Sequence, residues 1–342
     1  MRYIVIGAGG VGGTIGGRLA QAGHDVVLVA RGPHLDALRA QGGLRLTTPE
    51  GASVIGLPAV SGPDEVKLTS DDVLLLATKT QDAEAAMAGW AWKPVKGGPG
   101  KSGSVAAEDL PVVCAQNGVA SERLALRRFR HVYGMCVWLP ATHLEPGAVE
   151  AQGAPLSGLL HVGRYPSGTD QAIERIGADL AASRFLAPVV PDIMRWKHGK
   201  LLANLANAIE AVCGLARGEV SKELRHRARA EGTAVLEAAG IPYAGNDENA
   251  RFRADQVQIV KINGNERGGG SSWQSLTRGT GSIEADYLNG EIVLMARERG
   301  IPVPVNEVLQ RLANQAARDR RPPGSATPDE VLALAALPAG AG

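Results

Sequence analysis

The sequence predicts an α/β protein in which an N-terminal doubly wound sheet is followed by a mostly α-helical C-terminal domain. Three observations support this: a glycine-rich segment joins two apolar runs at the start of the chain, apolar runs of strand length recur up to residue 163, and long helical runs replace them from residue 193. A chain of 342 residues exceeds the size of most single cores. We therefore expect two domains, at 1–190 and 191–320, and a Pro/Ala/Gly-rich tail over 321–342.

The first predicted strand, helix and strand carry the glycine spacing of a dinucleotide-binding turn. Gly7, Gly9 and Gly12 have the spacing G-x-G-x-x-G, follow an apolar strand over 3–6 and precede a helix over 11–22. This context predicts a Rossmann-type domain, in which the first glycine permits a tight turn, the second admits a pyrophosphate and the third lets helix and strand pack closely. The alternative is a structural turn, since 44 glycines will produce chance matches.

Arg31 ends the second predicted strand, residues 24–30, and indicates which cofactor binds. An NAD site places a carboxylate about twenty residues after the glycines, whereas an NADP site needs a cation for the 2′-phosphate. A guanidinium can bind that phosphate through two hydrogen bonds. We therefore predict NADPH; the alternative is a solvated surface arginine, with Gly32-Pro33 keeping the segment a turn.

Two later strands end in polar residues on the side where such sheets bind ligands. Lys79 follows an apolar strand over 73–78, and Asn117 follows a strand over 111–115. The alternatives are a surface lysine and an ordinary Asn-Gly turn. Between these strands, residues 90–111 have the Gly/Pro/Ser composition of a flexible surface loop without regular structure.

The C-terminal half is predicted to be helical over 193–213, 219–240 and 282–299. Within the first of these runs, over residues 200–209, Lys200, Asn204 and Asn207 share one narrow face, while apolar residues occupy the other positions. One lysine and two amides suit the carboxylate and carbonyl oxygens of a substrate; the alternative is an exposed polar stripe. A short final helix is predicted where residues 327–330 form a capping box.

Two further segments are ambiguous on the sequence alone. Glu284 lies in the first turn of the predicted helix over 282–299, where it could act in the site or simply favour the helix dipole. The glycine-rich segment 268–272 ends in two serines and is predicted to be a loop. Such a loop could close over an anionic ligand or be a mobile linker.

Composition excludes several classes of function. The net charge is +1 and no dense basic run occurs, so nucleic acid is not expected as a partner. The histidines show no metal-ligand spacing, and we predict no metal. Three scattered cysteines (Cys114, Cys136 and Cys213) fit a reducing, cytoplasmic location. The sequence contains no uninterrupted run of eighteen apolar residues, so we expect no membrane-spanning helix.

On these residues the chain resembles the ketopantoate reductase (2-dehydropantoate 2-reductase) family over about residues 1–318. The resemblance implies an NADPH-binding Rossmann domain followed by an all-helical domain, with the substrate bound between them. It rests on the order of several motifs along the chain: the Gly7–Gly12 loop, Arg31, Lys79, Asn117-Gly118, Lys200-x-x-x-Asn204, Ser271-Ser272, and Glu284-Ala-Asp286-Tyr287-Leu-Asn289-Gly290.

The resemblance also implies roles for individual residues. Lys200 would protonate the C2 oxygen as hydride arrives, and Glu284 would orient the ribose and the polar network. The substrate-binding residues would be Asn117, Asn204, Asn207 and Ser272. The cofactor-binding residues would be Gly7, Gly9, Gly10, Val11, Gly12, Arg31, Lys79, Asn117 and Glu284.

One departure from the family bears on the substrate. The family often has an asparagine eight residues after the lysine, but position 208 is Ala and the amide is Asn207. The leading hypothesis is reduction of ketopantoate to pantoate, a step toward pantothenate. The alternatives are reduction of another 2-oxo acid or an imine, or a non-catalytic NADP(H)-binding sensor. We expect a small 2-oxo acid as the partner and allow for a homodimer.

Overall fold

A computed structural model describes residues 1–97, 103–262, 264 and 268–337. Residues 98–102 of the loop predicted over 90–111 and the last five residues of the predicted tail lie outside this range. The chain forms two compact units, and the predicted domain limits at 190 and 320 remain predictions. The first unit contains Met1–Gln116, Ala120–Lys197 and Gly245–Arg267, and the second contains Asn117–Val119, His198–Ala244 and Gly268–Gly342.

Short strands and helices alternate through most of the first unit. The strands are β1 (Arg2–Ile6), β2 (Asp25–Val29), β3 (Gly43–Thr48), β4 (Gly51–Gly56), β5 (Ala59–Val60), β6 (Leu68–Thr69), β7 (Asp72–Leu76), β8 (Val95–Lys96), β9 (Pro111–Cys114), β10 (His131–Trp138), β11 (Ala141–Thr142), β12 (Ala148–Ala151), β13 (Gly153–Pro155), β14 (Gly158–Arg164), β15 (Phe185–Leu186) and β16 (Val257–Ile259).

The helices of the chain are α1 (Gly10–Gln21), α2 (Gly32–Ala40), α3 (Thr80–Ala91), α4 (Ala106–Asp109), α5 (Ser121–Leu126), α6 (Gln171–Ala182), α7 (Ile193–Asn204), α8 (Ala206–Cys213), α9 (Glu219–Ala238), α10 (Asn246–Arg253), α11 (Ser271–Thr277), α12 (Asn289–Arg297), α13 (Pro304–Arg318) and α14 (Pro328–Ala335), with 3₁₀ turns at Pro63–Glu65 and Glu284–Tyr287. The first unit contains α1 to α6, and most of the later helices belong to the second unit.

The main sheet of the first unit has eight strands in the order β15-β14-β10-β9-β7-β1-β2-β5. The strands from β10 to β5 run parallel, and β14 is antiparallel to β10. Successive residues of β1 point to opposite faces, so Tyr3 and Val5 join one apolar cluster while Ile4 and Ile6 join the other. The sheet is therefore buried on both sides, which confirms the predicted doubly wound α/β fold.

Two expectations for the first unit were wrong. The segment after Arg31 is helix α2 rather than a turn, because Pro33 occupies the first helical turn, where its missing N–H costs nothing. Residues 90–111 are only partly irregular. Helix α3 runs to Ala91, Val95 pairs with Leu68 between β8 and β6, and α4 follows before the next strand.

The second unit is helical, as predicted, but several boundaries differ. The run over 193–213 is divided into α7 and α8 at Leu205, and the run over 282–299 is a 3₁₀ turn followed by α12. Helix α13 was not predicted. The capping box of α14 is confirmed, since Glu330 N–H donates to Thr327 Oγ1 at 3.2 Å. Among the described residues, none of the helices is both long and apolar enough to cross a membrane.

Candidate active site

Two of the three glycines of the G-x-G-x-x-G spacing, Gly7 and Gly12, lie where the structure leaves no space for a side chain. Gly7 has φ +103°, and a Cβ added to it would lie 2.7 Å from the backbone nitrogen of Thr78. A Cβ on Gly12 would overlap the Gly7 carbonyl oxygen. These are the tight turn and the close helix–strand packing that the G-x-G-x-x-G spacing predicts.

The remaining glycine faces open space at the N-terminus of α1. A Cβ on Gly9 would meet only His143 Nδ1, at 3.6 Å. Gly13 N–H donates to Gly9 O at 2.6 Å, so the amides of Gly10 and Val11 precede the first bond within the helix. The loop therefore presents amide donors on a surface that a phosphate can approach closely, and its residues fit a dinucleotide.

Arg31 is exposed and lies immediately before α2, which His34 ties to the glycine-rich loop. Gly147 N–H donates to His34 Nδ1 at 2.8 Å, so Nε2 carries the hydrogen and donates to Ala8 O at 2.8 Å. His34 was missed by sequence reasoning, because its partners are distant in the chain. It holds the start of α2, and with it Arg31, in a defined place beside the loop.

Buried polar atoms without partners concentrate where β7 and β9 end. Thr78 Oγ1 and the side-chain amides of Gln81 and Gln116 are buried, and among the described residues none has a hydrogen-bond partner. Lys79 is half-buried, lies between Thr78 and Gln81 in the sequence, and immediately precedes α3. Buried polar groups normally have partners, so this edge of the sheet suits a polar ligand.

In the second unit, helices α8 and α11 are in contact, and their first turns carry two of the predicted substrate residues, Asn207 and Ser272. Asn207 Nδ2, at the start of α8, donates to Ser271 Oγ, at the start of α11, at 3.5 Å. The neighbouring Asn204 and Ser272 are only 4% and 2% exposed, and Asn204 Nδ2 and Ser272 Oγ have no hydrogen-bond partner within the described parts of the chain. Half-buried Lys200 precedes Asn204 by one helical turn.

The segment before Ser271 is glycine-rich because it is packed tightly rather than because it is a mobile linker. A Cβ on Gly269 would overlap Trp273, and one on Gly270 would lie 2.9 Å from Asn207 Oδ1. Gly270 N–H also donates to Glu210 Oε2 at 2.8 Å. The prediction of a loop for both serines was wrong, since Ser271 and Ser272 are the first residues of α11.

The Glu284–Gly290 motif divides into a residue predicted for the site and residues with structural roles. Asp286 Oδ1 accepts hydrogen bonds from Gln310 and Asn314 of α13, at 2.7 and 2.6 Å. Asn289 Nδ2 donates to Leu205 O, between α7 and α8, at 3.2 Å. Glu284 is buried in the 3₁₀ turn rather than in the first turn of an α-helix, so the helix-dipole alternative loses its basis.

A second lysine, Lys197, precedes Lys200 by one turn of α7 and was missed by sequence reasoning. It is 1% exposed, forms an ion pair with Glu122 and donates to Gln116 O at 2.9 Å. A lysine with these two partners is committed to the interior. Of the two lysines, Lys200 is the more exposed, and its predicted role as proton donor stays a prediction.

Comparison with known proteins covers nearly the whole chain. Residues 3–167 match the family described as "Ketopantoate reductase PanE/ApbA", and residues 192–317 match its C-terminal domain. The chain is 29% identical to a 2-dehydropantoate 2-reductase of Caulobacter vibrioides, over 92% of this chain and 98% of the relative. It is 28% identical to one of Halobacterium salinarum, over 93% and 100%.

Solved structures show the same fold. A PanE/ApbA family ketopantoate reductase from Ralstonia eutropha JMP134 superposes with a TM-score of 0.74 at 28% identity, covering 94% of this chain and all of that one. D-mandelate dehydrogenase in a ternary structure with NADH and anilino(oxo)acetate superposes with a TM-score of 0.75 at 20% identity, with the same coverage. At that identity the second likeness concerns the fold alone.

Proposed function

The chain belongs to the ketopantoate reductase family and is an oxidoreductase, and we propose that it reduces 2-dehydropantoate (ketopantoate) to pantoate with NADPH. Relatives with this name align over most of the chain, including both predicted domains. The proposal therefore concerns the substrate and the cofactor, while the reaction class follows from the family.

Three groups in the first unit support NADPH as the cofactor. The amides at Gly10 and Val11 suit the pyrophosphate, and Arg31 suits the 2′-phosphate that distinguishes NADPH from NADH. Lys79 follows β7, at the edge of the sheet where the buried side chains of Thr78, Gln81 and Gln116 have polar atoms without a partner in the described part of the chain. When bound, the cofactor supplies the hydride.

Reduction of a 2-oxo acid places negative charge on the C2 oxygen, which must then be protonated. We assign Lys200 as the donor, because a half-buried ammonium group can stabilise the developing alkoxide and deliver the proton. Asn204 and Ser272 would bind the oxygens of the substrate, and Asn117 and Glu284 would complete the polar surroundings. No carboxylate lies between Lys200 and Asn207 on α7 and α8, which favours an anionic substrate.

The observation that carries this proposal is that Asn204 Nδ2 and Ser272 Oγ have no hydrogen-bond partner among the residues that the structure describes. Leaving a buried donor without a partner costs about 1–3 kcal/mol, so two such atoms, one at the end of α7 and one at the start of α11, indicate a site that a ligand completes. An amide donor and a hydroxyl suit a carboxylate. A non-catalytic sensor of NADP(H) would have no need of these groups.

The test is cofactor oxidation with a panel of 2-oxo acids and cyclic imines, measured with NADPH and with NADH. We expect ketopantoate to give the highest kcat/KM, and NADPH to exceed NADH. Turnover of another 2-oxo acid at a kcat/KM more than tenfold above that of ketopantoate would overturn the substrate assignment. Tight NADPH binding without turnover of any compound would favour the sensor.

A different 2-oxo acid is the second candidate, and the position of Asn207 favours it. The family often has its second asparagine one residue later, where this chain has Ala208. Asn207 is instead hydrogen-bonded to Ser271 at 3.5 Å, which leaves it less available to a substrate. A substrate that needs fewer polar contacts at its far end than ketopantoate would fit this difference.

A further inference from the structure

A buried ion pair is formed by two residues that are not assigned to substrate or cofactor binding. Glu122 of α5 and Lys197 of α7 are 0% and 1% exposed and are paired with each other. Lys197 Nζ also donates to the carbonyl oxygen of Gln116, at 2.9 Å. The pair therefore joins three segments: α5, α7 and the end of the strand β9.

The surroundings of the pair accommodate it at some cost. Gly134 of β10 has no side chain, and a Cβ there would lie 3.4 Å from Glu122 Oε1 and 3.0 Å from Ile193 Cγ1. Burial raises the pKa of the Glu122 carboxyl group, although Lys197 acts in the opposite direction. Among the described residues, Glu122 Oε2 has no hydrogen-bond partner.

Stability alone is a weak explanation for such a pair. Removing two charges from water is costly, and well-packed apolar residues of similar volume often replace a buried pair with no loss of stability. The free-energy cost of removing the charges from water is recovered only when hydrogen bonds satisfy all the polar atoms of the pair. Glu122 Oε2 has no such bond among the described residues. The better-supported use of a buried pair is to specify one arrangement of the segments that it joins.

The segments joined here continue directly into two residues of the proposed site. Asn117 is the next residue after Gln116, whose carbonyl group Lys197 binds. Lys200 lies one turn after Lys197 on the same helix, so the two side chains emerge from neighbouring positions of α7. A single ammonium group thus bonds to the backbone that leads into Asn117 and belongs to the helix that carries Lys200.

We propose that the Glu122–Lys197 pair is a positioning element that holds the Gln116–Asn117 backbone and helix α7 in the arrangement needed for reduction. Its effect on catalysis rests on the proposed function, because that function assigns roles to Asn117 and Lys200. The proposed function assigns neither Glu122 nor Lys197 to the binding of substrate or cofactor. Misplacement of reacting groups by about 1 Å can cost 10²-fold in rate, so such an element can matter without contacting the reaction.

The test replaces the pair by apolar residues of similar volume, in the double variant Glu122→Leu/Lys197→Met. Hydrogen–deuterium exchange is measured over 114–119 and 197–204, with β14 as the internal reference. We expect exchange in both segments to rise by about tenfold or more while β14 keeps the parent rate. With the best 2-oxo acid, kcat should fall by about 10–100-fold, and the Kd for NADPH should stay within about threefold.

Matched variants separate positioning from a general loss of structure. Glu248→Gln removes the charge from a more exposed pair, with Arg195 of the same helix, and should leave exchange over 114–119 unchanged. Glu122→Asp keeps the charge pair but shortens the acid, and should give intermediate exchange and kcat. If the double variant does not fold, Glu122→Asp serves as the test in its place. Exchange rates and a kcat equal to those of the parent would then overturn the proposal.

Two results for a folded double variant would overturn the proposal. One is parent exchange rates over 114–119 and 197–204; the other is an equal rise in β14, which would indicate a role in stability only. Because exchange is measured without substrate, this readout decides the positioning role even if the parent enzyme turns over no 2-oxo acid. A parent enzyme that turns over no 2-oxo acid would instead refute the proposed function.

Discussion

Replacement of Asn289 by alanine tests whether this residue of the Glu284–Gly290 motif has a structural role. Asn289 is fully buried, and its Nδ2 donates to Leu205 O at 3.2 Å and to Asn306 Oδ1 at 3.0 Å. Asn306 in turn donates to Glu231 Oε2 at 2.7 Å, a carboxylate whose pKa is raised by burial. The substitution removes the donor shared by two buried acceptors.

The expected loss follows from these two bonds. A buried polar group deprived of its partner costs about 1–3 kcal/mol, so Asn289→Ala should lower the free energy of unfolding by roughly 2–6 kcal/mol. In a unit of this size, 1 kcal/mol moves the thermal midpoint by roughly 4 °C. We therefore expect the midpoint to fall by about 8 °C or more.

The assay is thermal unfolding followed by circular dichroism, with Asn314→Ala as the matched control. Asn314 also donates two side-chain hydrogen bonds, to Asp286 Oδ1 and Gln310 O, but it is partly exposed, and water can replace them. Its midpoint should fall by less than about 4 °C. Equal shifts for the two variants would refute the argument that burial makes Asn289 the more costly to lose.

Three further predictions concern the site and the pH dependence of stability. Lys200→Ala should lower kcat by about 10²–10⁴-fold and leave the Kd for NADPH unchanged, whereas a loss within about tenfold would contradict a role as proton donor. Arg31→Asp should abolish a preference for NADPH over NADH in binding titrations; comparable affinities in the parent would argue against the assignment. Burial lowers the pKa of His161 to about 4, below its unfolded value near 6.5. The stability due to neutral His161 is therefore complete above pH 6.5 and declines by about 3 kcal/mol as the pH falls to 4. In His161→Phe, which keeps an aromatic ring against Trp196, unfolding should depend less on pH over this range; an unchanged dependence would contradict it.

The features that the sequence predicted best are those determined by neighbouring residues. The turn at Gly7 needs a positive φ and the contact at Gly12 excludes a Cβ, and both requirements show in the spacing of the glycines. The capping box at Thr327 is likewise complete within four residues. In such cases the physical cause and the sequence signal lie in the same short segment.

The features that the sequence did not reveal depend on partners far along the chain. His34 links Ala8 to Gly147, which is more than a hundred residues away, and nothing in its local sequence indicates either contact. Lys197 and Glu122 are likewise far apart in the sequence and lie in different helices. Lys197 shares its helix with Arg195, His198 and Lys200, so nothing in the local sequence distinguished it, and its partner could not have been named.

Helix termini near the site show how tertiary contacts override local propensity. Ser271 and Ser272 follow three glycines, a composition that favours a loop, yet they begin a helix. The contacts of Gly270 with Asn207 and Glu210 explain this, because a glycine is needed where α8 approaches so closely. The glycines thus reflect packing against another helix, which composition alone could not distinguish from flexibility.

Residues 90–111 are a second segment whose composition did not predict its structure. Its average composition predicts an irregular surface loop, but Val95 pairs with Leu68, and Ala106 and Ala107 lie in the same apolar cluster. An average over the segment dilutes these few apolar residues with the glycines and prolines between them. Individual residues can be buried even when the segment around them has the composition of a linker, so such a segment can still contribute specific side chains to the core.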